Sequence, residues 1–267
     1  MKNYILVTLV ATALCLQGAQ TAAVNLEDSN ASISTISFGT ALKMYYTAFQ
    51  KIMPCGFPPL KIPVLAPFSM DYYSFNLTNG YYKINGNVSN MVVTGLNNFR
   101  VLAGNFNATT NRTSFDLIFP AVQALGEYEM DAMAYLAGFP AQMAGKGLLN
   151  VEIVDFRMVG EFALTPSSEN PNSLSVSDFN LHFYVGNVIN NNWNTLWDIS
   201  FNNFVNKFGS ELTLMWAQQI QVQVDDIYAQ LLLPNINGML NDVSMSKLIE
   251  FFVSQSMEFD MANCTLD

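Results

Sequence analysis

The chain has 267 residues, with 11 basic and 21 acidic side chains and a formal net charge of −10 at pH 7. Nucleic acid is a poor partner for such a surface, because phosphate contacts need lysine and arginine. Charged residues make up only 12% of the chain and hydrophobic residues 51%, which favours either a large core or a core that encloses a cavity.

The first 23 residues have the pattern of a secretory signal peptide. Lys2 gives a positive start, residues 4–16 form an apolar segment, and Ala22 and Ala23 stand at plausible cleavage positions. This apolar segment is too short to span a membrane, and no later apolar run is long enough. We therefore expect a secreted, extracellular protein with a signal peptide at 1–23 and a single domain at 24–267.

The first element after this segment is a predicted helix over 34–53. Its apolar residues recur at steps of three and four, as on one helical face: Phe38, Leu42, Tyr45, Phe49 and Ile52. Pro54 ends it, and an apolar connector over 55–68 follows. The connector contains four prolines, so it can be neither a helix nor a central strand.

From about residue 70 to 189 the hydrophobic period changes to two, which predicts antiparallel strands that each bury one face. The apolar sets begin at Tyr73, Tyr82, Phe99, Phe115, Tyr128, Phe156 and Phe179. Turns are predicted at 79–80, 105–111 and 166–172, where asparagine, glycine, serine or proline gather. Several strands exceed the usual length, as in a strongly curved sheet.

A long amphipathic helix is predicted over 201–231, about 30 residues and some 45 Å long. Nine apolar residues follow one face: Phe201, Phe204, Phe208, Leu212, Trp216, Ile220, Val224, Ile227 and Leu231. Pro234 is expected to end it, and a shorter helix over 245–253 closes the chain. The predicted fold class is α+β, with a highly curved antiparallel sheet wrapped around this C-terminal helix. Such an arrangement easily leaves a tubular apolar cavity.

The sequence contains no recognisable catalytic or metal-binding set. Its one histidine, His182, alternates out of phase with the apolar residues of its strand and is expected to face away from the core. A Gly-x-Ser-x-Gly motif is absent, and one histidine cannot supply a zinc site. We expect no enzyme, cofactor or metal, although a pair of carboxylates in a cleft, as in a secreted hydrolase, leaves no sequence signature.

Two cysteines remain after the signal peptide, Cys55 and Cys264. In an oxidising compartment they predict one disulfide, the alternatives being two free thiols or a bond to a second chain. Six asparagines begin glycosylation sequons: Asn30, Asn76, Asn87, Asn107, Asn111 and Asn263. Asn107 and Asn111 lie in a predicted exposed turn, so they are the better candidate acceptors.

Four segments in the same order resemble insect takeout and haemolymph juvenile-hormone-binding proteins. LKIPVLAPF at 60–68 resembles the family's Ile-Pro-Pro-Leu-Asp-Pro segment, and GLNNFRV at 95–101 its Gly-Leu-Ser-Asn-Phe-Lys-Val strand. The region 128–147, with Gly138, Pro140 and Gly145, and NNW at 191–193 are similar to two further family motifs. Ala66 stands where the family usually has aspartate. The family's N-terminal cysteine pair is reduced to Cys55, which leaves Cys264 as its partner.

The resemblance implies a tubular lipid-binding fold whose cavity carries juvenile hormone or another small hydrophobic molecule. We therefore expect a monomeric secreted carrier of a terpenoid, fatty acid or other lipid, with no nucleic-acid partner and an unidentified receptor or transfer partner. The expected cavity lining is Phe204, Phe208, Leu212 and Trp216 on the helix, Phe119, Tyr135, Phe162 and Phe183 on the sheet, and Phe38 and Leu42 at one end. The alternative is a secreted glycoprotein with a filled core that acts through protein–protein contacts.

Overall fold

The computed structural model describes residues 36–78, 82–136, 139–167, 170, 172–190, 233–262 and 264. Its elements are helix α1 (Phe38–Ile52), seven strands and helices α2 (Leu233–Leu240) and α3 (Met245–Met261). The strands are β1 (Phe68–Thr78), β2 (Tyr82–Thr94), β3 (Arg100–Asn107), β4 (Arg112–Leu136), β5 (Phe139–Pro166), β6 (Leu174–Tyr184) and β7 (Asn187–Asn190).

Helix α1 begins later than the sequence pattern predicts, at Phe38 instead of residue 34. Ser37 is the N-cap, and its hydroxyl oxygen accepts a hydrogen bond from the Thr40 backbone N–H at 3.2 Å. This bond satisfies a donor that has no partner inside the helix. All five residues of the predicted apolar face are buried, which confirms the helical period.

The proline connector runs back along the end of α1. Pro58–Leu60 form one 3₁₀ turn, and the Leu65 and Ala66 backbone N–H groups donate to the Met53 carbonyl oxygen at 2.8 and 3.1 Å. Cys55 at its start forms the expected disulfide with Cys264, with 5.7 Å between the two Cα atoms. The connector is therefore buried in part, and it is covalently joined to the chain that follows α3.

The sheet is antiparallel and highly curved, with the strand order β1-β2-β4-β5-β6. Strand β3 pairs with the first part of β4, and β7 pairs with the middle of β5. Strands β4 and β5 have 25 and 28 residues, so sequence patterns that read as separate strands belong to single long ones. Register shifts in β2, β3 and β6 bend the sheet. Asn90 and Asp178 take left-handed φ values of 50° at two of these shifts.

Halfway along β4 and β5, the alternation of apolar and polar side chains breaks, and the inward-facing positions change from odd-numbered to even-numbered residues. In β4 the buried positions are Thr113, Phe115 and Leu117, and farther along the buried position is Val122. Between them Pro120 lies opposite Asp155, which has a φ of 52°, while the register on both sides stays the same. Aspartate tolerates this conformation better than a bulky residue does. The sheet thus keeps one apolar face although the alternation breaks.

Helices α1 and α3 pack together through aromatic rings. Tyr45 lies 5.0 Å from Phe252 and 5.3 Å from Phe259 between ring centroids, and Phe259 is fully buried. Lys51 forms a 2.8 Å ion pair with Asp260 at the exposed side of this contact. Helix α3 extends to Met261, eight residues beyond its predicted end, because Phe259 still has a buried site to fill.

The predicted long helix over 201–231 lies outside the described residues. Pro234, expected to end it, lies in helix α2, whose described residues begin at Leu233. None of the helices in the described ranges is long and apolar enough to cross a membrane.

Candidate functional site

Four phenylalanines form a continuous row across the apolar face of the sheet. Phe99 precedes β3, and Phe119, Phe156 and Phe183 come from β4, β5 and β6. Neighbouring ring centroids lie 5.3, 5.6 and 5.7 Å apart along the row. Aromatic pairs at such distances contribute about 0.5–1.5 kcal/mol each beyond area burial. Phe99 is buried and the other three are half-buried, so part of their ring surface is left for another contact.

The face that carries this row has no charge on the described strands β3 to β6. The charges of these strands lie on the opposite face, where the Arg157 Nε donates to an Asp116 carboxylate oxygen at 2.8 Å. This hydrogen bond raises the pKa of the Arg157 guanidinium. On the same face Arg112 joins Glu161 and Asp178 at 2.8 and 3.3 Å. The two faces are thus separated into an apolar one and a charged one.

The apolar face continues toward the β1 edge as a smaller cluster. Tyr73, Val88 and Met91 are buried there, and Tyr128 and Leu149 pack against them. Burial raises the pKa of the Tyr128 phenol above its ordinary value, so this hydroxyl is neutral at physiological pH. The cluster therefore contains two phenol hydroxyls, those of Tyr73 and Tyr128, among otherwise apolar side chains.

Two of the predicted lining residues of the sheet, Phe119 and Phe183, meet in the aromatic row through Phe156. A third, Phe162 on β5, is half-buried and stacks on Phe179 of β6 at 5.9 Å between ring centroids. The structure thus brings two of the three together. Their contact with a ligand stays a prediction.

Phe38 and Leu42 are only 2% and 4% exposed. Phe38 packs edge-on against Phe106 at 5.8 Å and against Phe252 at 5.7 Å, so it belongs to the contact between α1, β3 and α3. The prediction that these residues close one end of a cavity stays a prediction. Tyr135 pairs with Pro140 through its backbone in the sheet, and the structure does not describe the Tyr135 side chain.

The four residues predicted to line the cavity from the long helix lie outside the described residues: Phe204, Phe208, Leu212 and Trp216. Sequence reasoning did not choose Phe99 and Phe156 as lining residues, although both head an apolar alternation. Alternation shows that a ring faces inward, but only the cross-strand register shows which rings meet. Phe156 is the central ring of the row, since it contacts both Phe119 and Phe183.

The described sequons fall into two groups. Asn76 and Asn87 lie within β1 and β2, whereas Asn107 and Asn111 flank the turn from β3 to β4. Asn30 and Asn263 are outside the described residues. His182 is exposed, as its phase in the strand predicts. Within the described ranges, no group of three or more His, Cys, Asp or Glu side chains could hold a metal ion.

This arrangement suits the binding of an apolar molecule better than covalent chemistry. Half-exposed phenylalanine rings on an uncharged face supply dispersion contacts and apolar area, but they supply no general base or nucleophile. The charged groups that could act in proton transfer lie on the other face of the described sheet, where Arg112 pairs with Glu161 and Arg157 pairs with Asp116.

Comparisons with known proteins found similar solved structures and one matching family. Among solved structures, the chain is similar to Takeout 1 from Epiphyas postvittana, with 14% identity, a TM-score of 0.47, and coverage of 76% of this chain and 93% of that one. It is also similar to lipopolysaccharide binding protein, with 10% identity, a TM-score of 0.29, and coverage of 75% and 39%.

No curated protein sequence matches the chain significantly. A sequence model of the haemolymph juvenile hormone binding protein family, however, matches residues 6–250, which is most of the chain. The protein therefore belongs to the haemolymph juvenile hormone binding protein family.

Proposed function

We propose that this protein is a secreted carrier that binds a small hydrophobic ligand inside a tunnel. The tunnel is formed by the apolar face of the sheet and by the predicted helix over 201–231. The ligand is a juvenile-hormone-like terpenoid, a fatty acid or another lipid of similar size. Membership of the juvenile hormone binding family supports the ligand class.

The observation that carries this proposal is the half-buried row of Phe99, Phe119, Phe156 and Phe183 on an uncharged face. A ligand that hides about 300 Å² of its apolar surface gains about 7 kcal/mol gross at ~25 cal/mol/Å². Contacts with the protein and the cost of ordering then set a dissociation constant in the micromolar to nanomolar range. Binding of this kind requires no catalytic group, and we accordingly propose no enzymatic activity.

The organisation that supports this function is a signal peptide at 1–23 and a single ligand-binding domain at 24–267. The disulfide between Cys55 and Cys264 accords with an oxidising, extracellular location. We propose that the carrier acts as a monomer and takes up and releases its ligand without chemical change.

Native mass spectrometry of the protein secreted from insect cells, followed by organic extraction, tests this function. We expect a non-covalent adduct with the mass of a small lipid, which farnesol or palmitic acid displaces. A protein that arrives bare and also fails to bind a hydrophobic fluorescent probe would overturn the carrier proposal. That result would favour the glycoprotein with a filled core.

A further inference from the structure

A groove of about 940 Å³ lies near the β1 edge of the sheet, apart from the aromatic row. It crosses β1, β2, β4 and β5, and part of its lining is Phe75, Gly86, Met130, Ala144 and Gly145. The polar and charged part of its lining is Ser74, Asn76, Asn85, Asn87, Glu129, Asp131 and Lys146. The neighbouring positions on the same strands, such as Tyr73 and Val88, are buried on the apolar face. The polar lining residues alternate with these positions and therefore point to the opposite, polar face of the sheet, where the proposed carrier function gives them no role.

Two asparagines of this groove begin glycosylation sequons, Asn76-Leu-Thr and Asn87-Val-Ser. The register pairs Asn76 with Asn85 and Ser74 with Asn87, so both acceptors point to the same face from neighbouring strands. The Thr78 hydroxyl donates to the Asn76 Oδ1 at 3.1 Å. This bond engages the amide oxygen, while Nδ2 is the atom that receives a sugar.

The groove adjoins an edge strand that, among the described residues, has few other defences against aggregation. Strand β1 ends the described strand order, has 11 residues and carries one charged side chain, Asp71. Tyr72 on this strand is 62% exposed. Long edge strands with little charge invite pairing with another chain unless charges, a bulge or a covering segment block them.

We propose that Asn76 and Asn87 carry N-linked glycans and that these glycans lie in the groove and cover the β1 edge. In the modification, the Asn Nδ2 loses a proton and bonds to the anomeric carbon of an N-acetylglucosamine. The bond from that carbon to a lipid-linked pyrophosphate breaks, and the pyrophosphate leaves. The amide, carboxylate and ammonium groups of the groove then hydrogen-bond the sugar hydroxyls. This inference rests on the proposed secretion, because the lipid-linked donor belongs to the secretory pathway.

Asn107 provides an internal control in the same chain. It is the exposed last residue of β3, and its Oδ1 accepts from the Thr109 and Thr110 backbone N–H groups at 2.9 and 3.3 Å. The groove lining does not include it. A glycan at Asn107 therefore reports on glycosylation without contact with the groove.

The test is site-specific glycopeptide mass spectrometry of the secreted protein during digestion by a peptide N-glycosidase without denaturant. We expect glycans at all three asparagines, with release from Asn76 and Asn87 about tenfold slower than from Asn107, equivalent to about 1.4 kcal/mol of protection. In denaturant the three rates should become equal. Glu129→Ala and Lys146→Ala should accelerate release from Asn87 and leave release from Asn107 unchanged.

Removal of the sequons tests the covering of the edge. The variant N76Q/N87Q should form dimers or larger species in light scattering, whereas N107Q should behave as the parent protein does. Three outcomes overturn the proposal while secretion stands: bare Asn76 and Asn87 in exported protein, equal native release rates at all three sites, or equal association of the two variants. A protein retained in the cytosol without any glycan would instead overturn the proposed secretion, and this inference with it.

Discussion

The replacement Phe156→Ala separates ligand binding from folding on the proposed binding face. Phe156 touches Phe119 at 5.6 Å and Phe183 at 5.7 Å, so its removal breaks both of the contacts that join these rings into one row. Each aromatic pair contributes about 0.5–1.5 kcal/mol beyond area burial. Because the Phe156 ring is only half-buried, we expect the free energy of unfolding to fall by about 2 kcal/mol. Replacing a fully buried phenylalanine by alanine costs more, about 3–5 kcal/mol.

The expected effect on ligand affinity follows from the exposed part of the same ring. A ligand that lies across the row loses contact with the central ring, which removes about 1–2 kcal/mol of apolar contact, or about 5- to 30-fold in the dissociation constant. Displacement of a hydrophobic fluorescent probe by farnesol measures the affinity of the parent and the variant. Urea denaturation of the same samples measures the free energy of unfolding.

Phe259→Ala is the matched control, since it also removes one phenyl ring. Phe259 is fully buried and lies 5.3 Å from Tyr45 and 5.0 Å from Phe57, in the contact between α1, α3 and the connector. Its loss should lower the free energy of unfolding by about 3–5 kcal/mol and leave the affinity of the folded fraction unchanged. If Phe156→Ala binds as the parent does, or if both variants lose affinity equally, the row is not the ligand surface.

Three further changes test the fold itself. Replacing Cys55 and Cys264 by serine opens a loop of 209 residues. Urea denaturation should then show that the free energy of unfolding falls by up to about 5 kcal/mol. An unchanged urea midpoint would contradict the disulfide. Thr113 is fully buried, and its hydroxyl lacks a partner among the described residues. Thr113→Val should therefore stabilise the protein by about 1 kcal/mol. The comparison is made in an Asn111→Gln background, because Asn111 and Thr113 belong to the same sequon and both proteins must lack it. A loss of stability there would reveal a hydrogen bond. Gly160→Ala sets a methyl group against the buried ring of Phe115 on β4. It should lower the thermal midpoint and reduce the free energy of unfolding by about 1–3 kcal/mol. An unchanged midpoint would show that the ring can move.

The sequence by itself determined the local elements of this protein. Every residue of the predicted face of α1 is buried, and the alternating sets that begin at Phe115 and Phe156 follow the apolar face of the sheet. The set from Phe99 leaves this face at the register shift, which sets Ala103 opposite Asp116. Counting cysteines predicted the disulfide, because only Cys55 and Cys264 lie outside the predicted signal peptide. These features depend on the spacing of residues within one segment, and such spacing is visible in the chain.

Only the tertiary structure decided which of these elements meet, and where the alternation breaks. Two alternating sets of β4 belong to one strand, and the alternation breaks where Pro120 lies opposite Asp155, which takes a left-handed φ on the neighbouring strand. The register likewise brings Phe99 into one row with Phe183, although they are far apart in the chain, and sets Asn76 and Asn87 beside the same groove. Side-chain periodicity fixes the face of a single strand, whereas register and curvature depend on pairing with distant strands. The binding face and the groove are therefore products of pairing, which no local pattern contains.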